Sequence, residues 1–115
     1  MARATTMPQL WRPLMDAPSV DTPFCCACGR AWPLNRHHVV PRSKGELWRE
    51  GRRLPKPTVV LCGSGNASGC HGKAHSGRLH FRCEGGRMQL LETRVPVRYE
   101  EALEMEGWRW ADEAR

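Results

Sequence analysis

The residues best equipped for chemistry lie in one run, Cys70-His71-Gly72-Lys73-Ala74-His75. A thiol is followed at once by an imidazole, and a second imidazole comes four residues later. On a helix, positions i and i+4 project from one face, a turn apart. His71 and His75 are therefore expected to reach a single metal ion from one helical turn. Other pieces of the sequence carry donors that could join them. Cys25-Cys26-Ala27-Cys28-Gly29 contains a CxxC followed by Gly, the usual form of a knuckle whose backbone amides face paired thiolates. Cys26 lies inside it and is expected to point away, as a buried thiol or a bystander.

The elements that must position these residues are short. Arg36-His37-His38-Val39-Val40 reads as a strand ended by Pro41. On a strand, His37 and His38 face opposite ways, which gives them different tasks. Thr58-Val59-Val60-Leu61-Cys62 reads as a short buried strand. A glycine-rich turn, Gly63 to Gly69, then delivers Cys70 and the opening of the helix. Cys62 and Cys70 stand ready to complete a four-thiolate set with Cys25 and Cys28, although seven residues separate them. That is more than the two to four residues usual in a knuckle. Between the strands, Pro41 to Pro57 is polar and basic, with Arg42, Lys44, Arg49, Arg52, Arg53 and Lys56. It reads as a long loop with a short helix around Glu46 to Glu50, serving as a solvated linker or as a phosphate-contacting loop.

Further on, Leu79 to Glu84 and Arg87 to Glu92 flank Gly85-Gly86 and predict a hairpin. His80 on its first strand is expected to pack or to lie at the surface rather than to bind metal, and Cys83 to be a plain reduced thiol. Pro96 to Met105 reads as a short amphipathic helix stopped by Gly107, with Trp108 and Trp110 folding back on the hairpin. Residues 1–22 read as an irregular arm whose Trp11, Leu14 and Met15 could pack as a flap. Residues 23–110 form the domain, and 111–115 a tail.

Size and composition fit this layout. A chain of 115 residues suggests one domain, and 11 Gly with 9 Pro favour turns over long regular elements. Such a small, loop-rich domain usually needs a staple, either disulfides or a metal. No secretory leader is visible, so the six cysteines are expected to be reduced thiols in a cytoplasmic setting. No run is long and apolar enough to span a membrane. The net charge of +6 suits a polyanionic partner.

Taken in order, the chain offers CxxC, His-His-Val-Val-Pro-Arg-Ser, Val-Val-Leu-Cys and Cys-His-x-x-x-His. This series resembles the HNH endonuclease family, and most of all its small phage-encoded members with a structural zinc. The likeness is close from about Phe24 to His75 and extends more loosely to Trp108. It implies an α+β fold: a small ββα-metal (His-Me finger) core, a four-cysteine zinc site, and a C-terminal β-hairpin plus short helix. It implies that His37, His71 and His75 bind a catalytic divalent cation (Mg, Mn, Ni, Co or Zn) and that His38 is the general base. Cys25, Cys28, Cys62 and Cys70 would hold structural Zn²⁺. Arg42, just after the base strand, is the candidate for a second phosphate contact. The family places an Asn five residues before the Leu-Cys cysteine, where it ties the loop backbone between the strands. This chain has Pro57 there, with Thr58 as the nearest substitute.

The function so implied is metal-dependent hydrolysis of DNA phosphodiester bonds with weak sequence specificity, in the cytoplasm of a bacterial host. Phage relatives suggest work beside terminase proteins in genome packaging. The rival readings are a zinc-ribbon nucleic-acid-binding protein or phage adaptor that does not cut, and a disulfide-stapled secreted protein. The adaptor leaves His37, His38 and His75 without a task, and the secreted protein is disfavoured by the absent leader.

Overall fold

A computed structural model describes residues 11–40 and 47–113. The fold is a small α+β domain of antiparallel sheets and two short helices. A single 3₁₀ turn, Arg12–Leu14, precedes strand β1 (Leu34–His38). There follow β2 (Leu47–Arg49), β3 (Arg52–Leu54), β4 (Thr58–Cys62) and helix α1 (Gly69–His75). The chain ends with β5 (Leu79–Glu84), β6 (Arg87–Glu92), helix α2 (Tyr99–Leu103) and β7 (Arg109–Trp110).

β1 pairs antiparallel with β4, from Leu34 opposite Cys62 to His38 opposite Thr58. The apolar run of β4 is buried from Val59 to Cys62, as expected for a strand covered on both faces. α1 leaves β4 through the glycine turn and packs against β4 and β5. β2 and β3 form a two-stranded sheet, and β5, β6 and β7 a separate three-stranded one. Its hairpin has the expected register, Leu79 opposite Glu92 through Glu84 opposite Arg87, around Gly85-Gly86 with both φ positive. Trp108 and Trp110 fold back on this sheet, under Arg82 and Arg87 respectively.

Three expectations change. The strand carrying His37 and His38 starts earlier and ends at His38, while Val39 and Val40 follow it as buried residues. The segment from Leu47 to Glu50 is not helical; it opens the β2–β3 hairpin. Glu50 and Gly51 take positive φ of 51° and 78°, the signature of a two-residue hairpin turn that no helix accommodates. α2 is shorter than Pro96 to Met105, beginning where Arg98 N donates to Glu101 Oε1 at 3.1 Å.

The core joins both ends of the chain. Trp11, Leu14 and Val20 are buried with Val59, Leu61, Phe81, Leu90 and Ala111. Val20 makes an isolated parallel bridge to Val59, so the stretch ahead of the knuckle touches β4 there.

Candidate functional site

Cys25 and Cys28 sit in the knuckle, and Cys62 and Cys70 flank the glycine turn between β4 and α1. Their sulfur atoms all lie within 4.8 Å of one another. Cys28 Sγ and Cys62 Sγ are 3.7 Å apart. A disulfide holds sulfurs at about 2.05 Å. Four thiolates about 2.3 Å from one zinc ion stand about 3.8 Å apart in a tetrahedron. The observed spacing matches the second case, and all six cysteines are free.

Proton chemistry points the same way. The Cys25 thiol is pulled down to about 4, first by a hydrogen bond with Cys70 and then, against the cost of burial, by the backbone of Cys28, Cys62 and Ala27. Cys70 is pushed far up by the same hydrogen bond, by burial and by the charge on Cys25. Four sulfurs this close do not all ionise unless a cation stands among them. Cys26 stays out of the set: it is fully buried, and burial pushes its thiol up to about 12. The long spacing between Cys62 and Cys70 closes because the turn doubles back. A Cβ on Gly63 (φ 139°) would overlap the Ser68 carbonyl oxygen, and one on Gly69 (φ 63°) would lie 2.5 Å from that of Cys62.

A second cluster adjoins the first through α1. His37 from β1 meets His71 and His75 from α1, with one ring nitrogen of each within 4.8 Å of the others. His71 Nε2 and His75 Nε2 are 3.2 Å apart. Two nitrogens bound to one ion at about 2.0–2.1 Å stand about 2.8–3.0 Å apart in cis octahedral and about 3.3–3.4 Å apart in tetrahedral geometry, so the pair fits a shared ion. The His37 ring stands edge-on to both, 5.1 and 5.2 Å between centroids, and Phe81 lies beyond it. Burial, then the neighbouring His71, His75 and His38, pull the His37 pKa down to about 3. His71 is also lowered, by burial first and His75 next. Imidazoles held neutral keep a lone pair for a cation, which a proton would otherwise occupy. His71 Nδ1 is buried without a hydrogen bond of ordinary geometry, though the backbone of Gly65 favours the protonated ring.

His38 is exposed and lies outside this cluster. It nevertheless lines, with His37, His75, His80 and Tyr99, a cavity of about 350 Å³. Arg42 falls outside the described residues. His80 is a packed residue rather than a ligand: it is buried, with Nε2 2.8 Å from the Gly77 carbonyl.

Several positioning residues were not singled out from the sequence. Asn35 on β1 donates through Nδ2 to the Gly63 carbonyl, pinning the strand to the turn beside the thiolates. Asn is disfavoured within strands, and that mismatch was the available signal. Near Pro57, the backbone of β4 is held by the segment ahead of the knuckle. Thr58 N donates to Ser19 Oγ at 2.9 Å, and Val20 N to the Thr58 carbonyl at 2.8 Å. Arg36 bridges Thr58 Oγ1 and Asp21, so the stretch from Ser19 to Asp21 straps the end of the strand pair. Val39 N also reaches the Pro57 carbonyl at 3.4 Å. Tyr99 OH donates to the Phe81 carbonyl at 2.6 Å and closes one wall of the cavity. Compared with known proteins, the chain matches no family model, no curated protein and no solved structure.

Proposed function

We propose that this chain is a metal-dependent endonuclease of the HNH kind, hydrolysing DNA phosphodiester bonds from a ββα-metal core made of β1, β4 and α1. One observation carries the reading. Three imidazoles from β1 and α1 converge at ligand spacing, while the next residue of β1 leaves a fourth imidazole exposed on the same cavity. A structural zinc site alone gives no reason for that second set.

In this reading His37, His71 and His75 would hold one divalent ion, which when bound would supply positive charge to offset the charge developing on the phosphate. His38 accepts a proton from water as its oxygen attacks phosphorus, and the bond from phosphorus to the 3′ oxygen breaks, the departing oxygen taking a proton from a second water molecule of the solvent. A neutral imidazole, with one nitrogen free to accept, suits that task. Asn35 and the Ser19–Asp21 strap keep β1 fixed against β4, so His37 and His38 hold their directions. All-imidazole ligation accommodates Zn, Ni, Co or Mn more readily than Mg. Four thiolates with zinc would clamp the knuckle to the start of α1.

The second reading is a zinc-bound nucleic-acid-binding protein that does not cut, and Pro57 in place of the family's Asn is what favours it. A nicking assay separates the two. Supercoiled plasmid incubated with Mg, Mn, Ni or Zn should be relaxed by the wild type. His38→Ala should cut about 10²–10⁴-fold more slowly, the usual contribution of a general base. Equal behaviour of the two proteins would end the nuclease reading.

A further inference from the structure

A second cavity is distinct from the one that His38 lines. It is a groove of about 750 Å³ on the other side of α1, walled by Cys28, Cys62 and Cys70 and by the basic side chains of Arg30, Lys73 and Arg78. No carboxylate lines it. Lys73 is committed to Glu92 at 2.5 Å. Arg78 bonds Ser76 Oγ, and neither it nor Arg30 has a carboxylate partner among the described residues. His75 borders both the groove and the His38 cavity, so the two meet at the candidate metal ligand.

We propose that this groove is the track for a DNA strand, its phosphates running from His75 past Arg78 to Arg30 along the thiolate site. The inference rests on the nuclease reading for the place of the scissile bond, and adds the path of the strand beyond it. The occupant is argued from Arg30 and Arg78, two guanidiniums in the groove without a carboxylate partner among the described residues, which face a wall of thiolates whose zinc-bound set would be net negative. Duplex DNA carries one negative charge per about 1.7 Å of axis, and guanidiniums neutralise its phosphates. Arg is also suited to gripping phosphate through its planar fork. The zinc site then has a second consequence: it shapes one wall of the track as well as stapling the fold.

A competing role for Arg30 and Arg78 is to neutralise the thiolates, since four of them with one zinc ion carry a net negative charge. The test therefore reads DNA affinity and zinc content together. Binding of a fluorescein-labelled 20-base-pair duplex is followed by anisotropy across a salt series, on a His38→Ala background that leaves the duplex intact. Arg30→Gln/Arg78→Gln should weaken binding roughly tenfold, flatten the slope of log affinity against log salt by about two, and leave zinc per chain unchanged. Arg30→Glu/Arg78→Glu should weaken it further. Unchanged affinity and slope would overturn the proposal. So would loss of zinc in the Gln pair, because the arginines would then serve the thiolates. Plasmid nicking by the wild type is scored separately. A protein that loses DNA through the Arg pair yet never nicks keeps the track and sinks the nuclease. One that nicks while the Arg pair binds as tightly as its parent does the reverse.

Discussion

At the scale of single residues, the two clusters make opposite demands on protons. The thiols must lose theirs to bind zinc, and the crowding of four sulfurs resists that until a cation arrives. Cys25→Ser or Cys62→Ser is expected to lower bound zinc from one per chain towards none, measured by elemental analysis of protein purified under reducing conditions. The imidazoles must avoid gaining protons. Burial lowers His37, His71 and His80 below the value each has in the unfolded chain. The sign follows directly: between about pH 6.5 and the lowered values, the unfolded chain binds protons that the folded chain does not. Stability of the zinc-loaded protein is therefore full above about pH 6.5 and falls as pH drops towards the His37 value of about 3. Urea midpoints measured from pH 7.5 to 5 should decline, and His80→Gln should flatten part of that decline. A midpoint that stays level would show the rings to be more solvated than their packing implies.

At the scale of elements, the turn between β4 and α1 and the Ser19–Asp21 strap set the site. Gly63 and Gly69 lie where a side chain meets backbone that cannot yield, whereas Gly51 has a positive φ but open space around it. Gly69→Ala should cost about 2–4 kcal/mol and weaken zinc retention, while Gly51→Ala should cost only about 1–2 kcal/mol and leave zinc in place. Thermal melts with zinc quantification separate the two. Similar losses at both positions would mean that the turn relaxes around an added methyl group. Ser19→Ala removes one hydrogen bond to the Thr58 amide and should cost about 1 kcal/mol. Any larger loss of nicking than of stability would mark the strap as an organiser of β1.

At the scale of the whole molecule, distant parts of the chain meet around the thiolates. Arg109 on β7 donates to the Ala27 carbonyl within the knuckle at 2.8 Å. Arg87 pairs with Asp112 at 2.7 Å beside Trp110, and Ala111 N bonds the Met88 carbonyl. The four-cysteine cluster is thus tied to the sheet at the far end of the sequence, and a zinc ion held there would contribute on the order of 10 kcal/mol, as in small zinc domains. Chelation under reducing conditions should abolish the cooperative melt, with amide protection lost in β5 and β6 as well as in the knuckle. Protection that survives in β5–β6 would show the three-stranded sheet to be stable alone.

Local chemistry made much of this legible. The i, i+4 spacing of His71 and His75, the CxxC-Gly knuckle, the Gly-Gly hairpin and the opposed faces of His37 and His38 are properties of neighbours in sequence. They could be read before any fold was known. The β2–β3 hairpin was missed because its turn depends on Glu50 accepting a positive φ, which residue type does not announce. Nor could spacing show that His37 meets α1, that Ser19 and Val20 bond the Thr58 backbone, or that Arg30 and Arg78 share one groove. Those contacts join residues far apart in the chain, and only the packing of β1, β4 and α1 brings them within reach. The sequence by itself determined which side chains can bind a cation; tertiary structure decided which of them converge, because convergence is a property of the core.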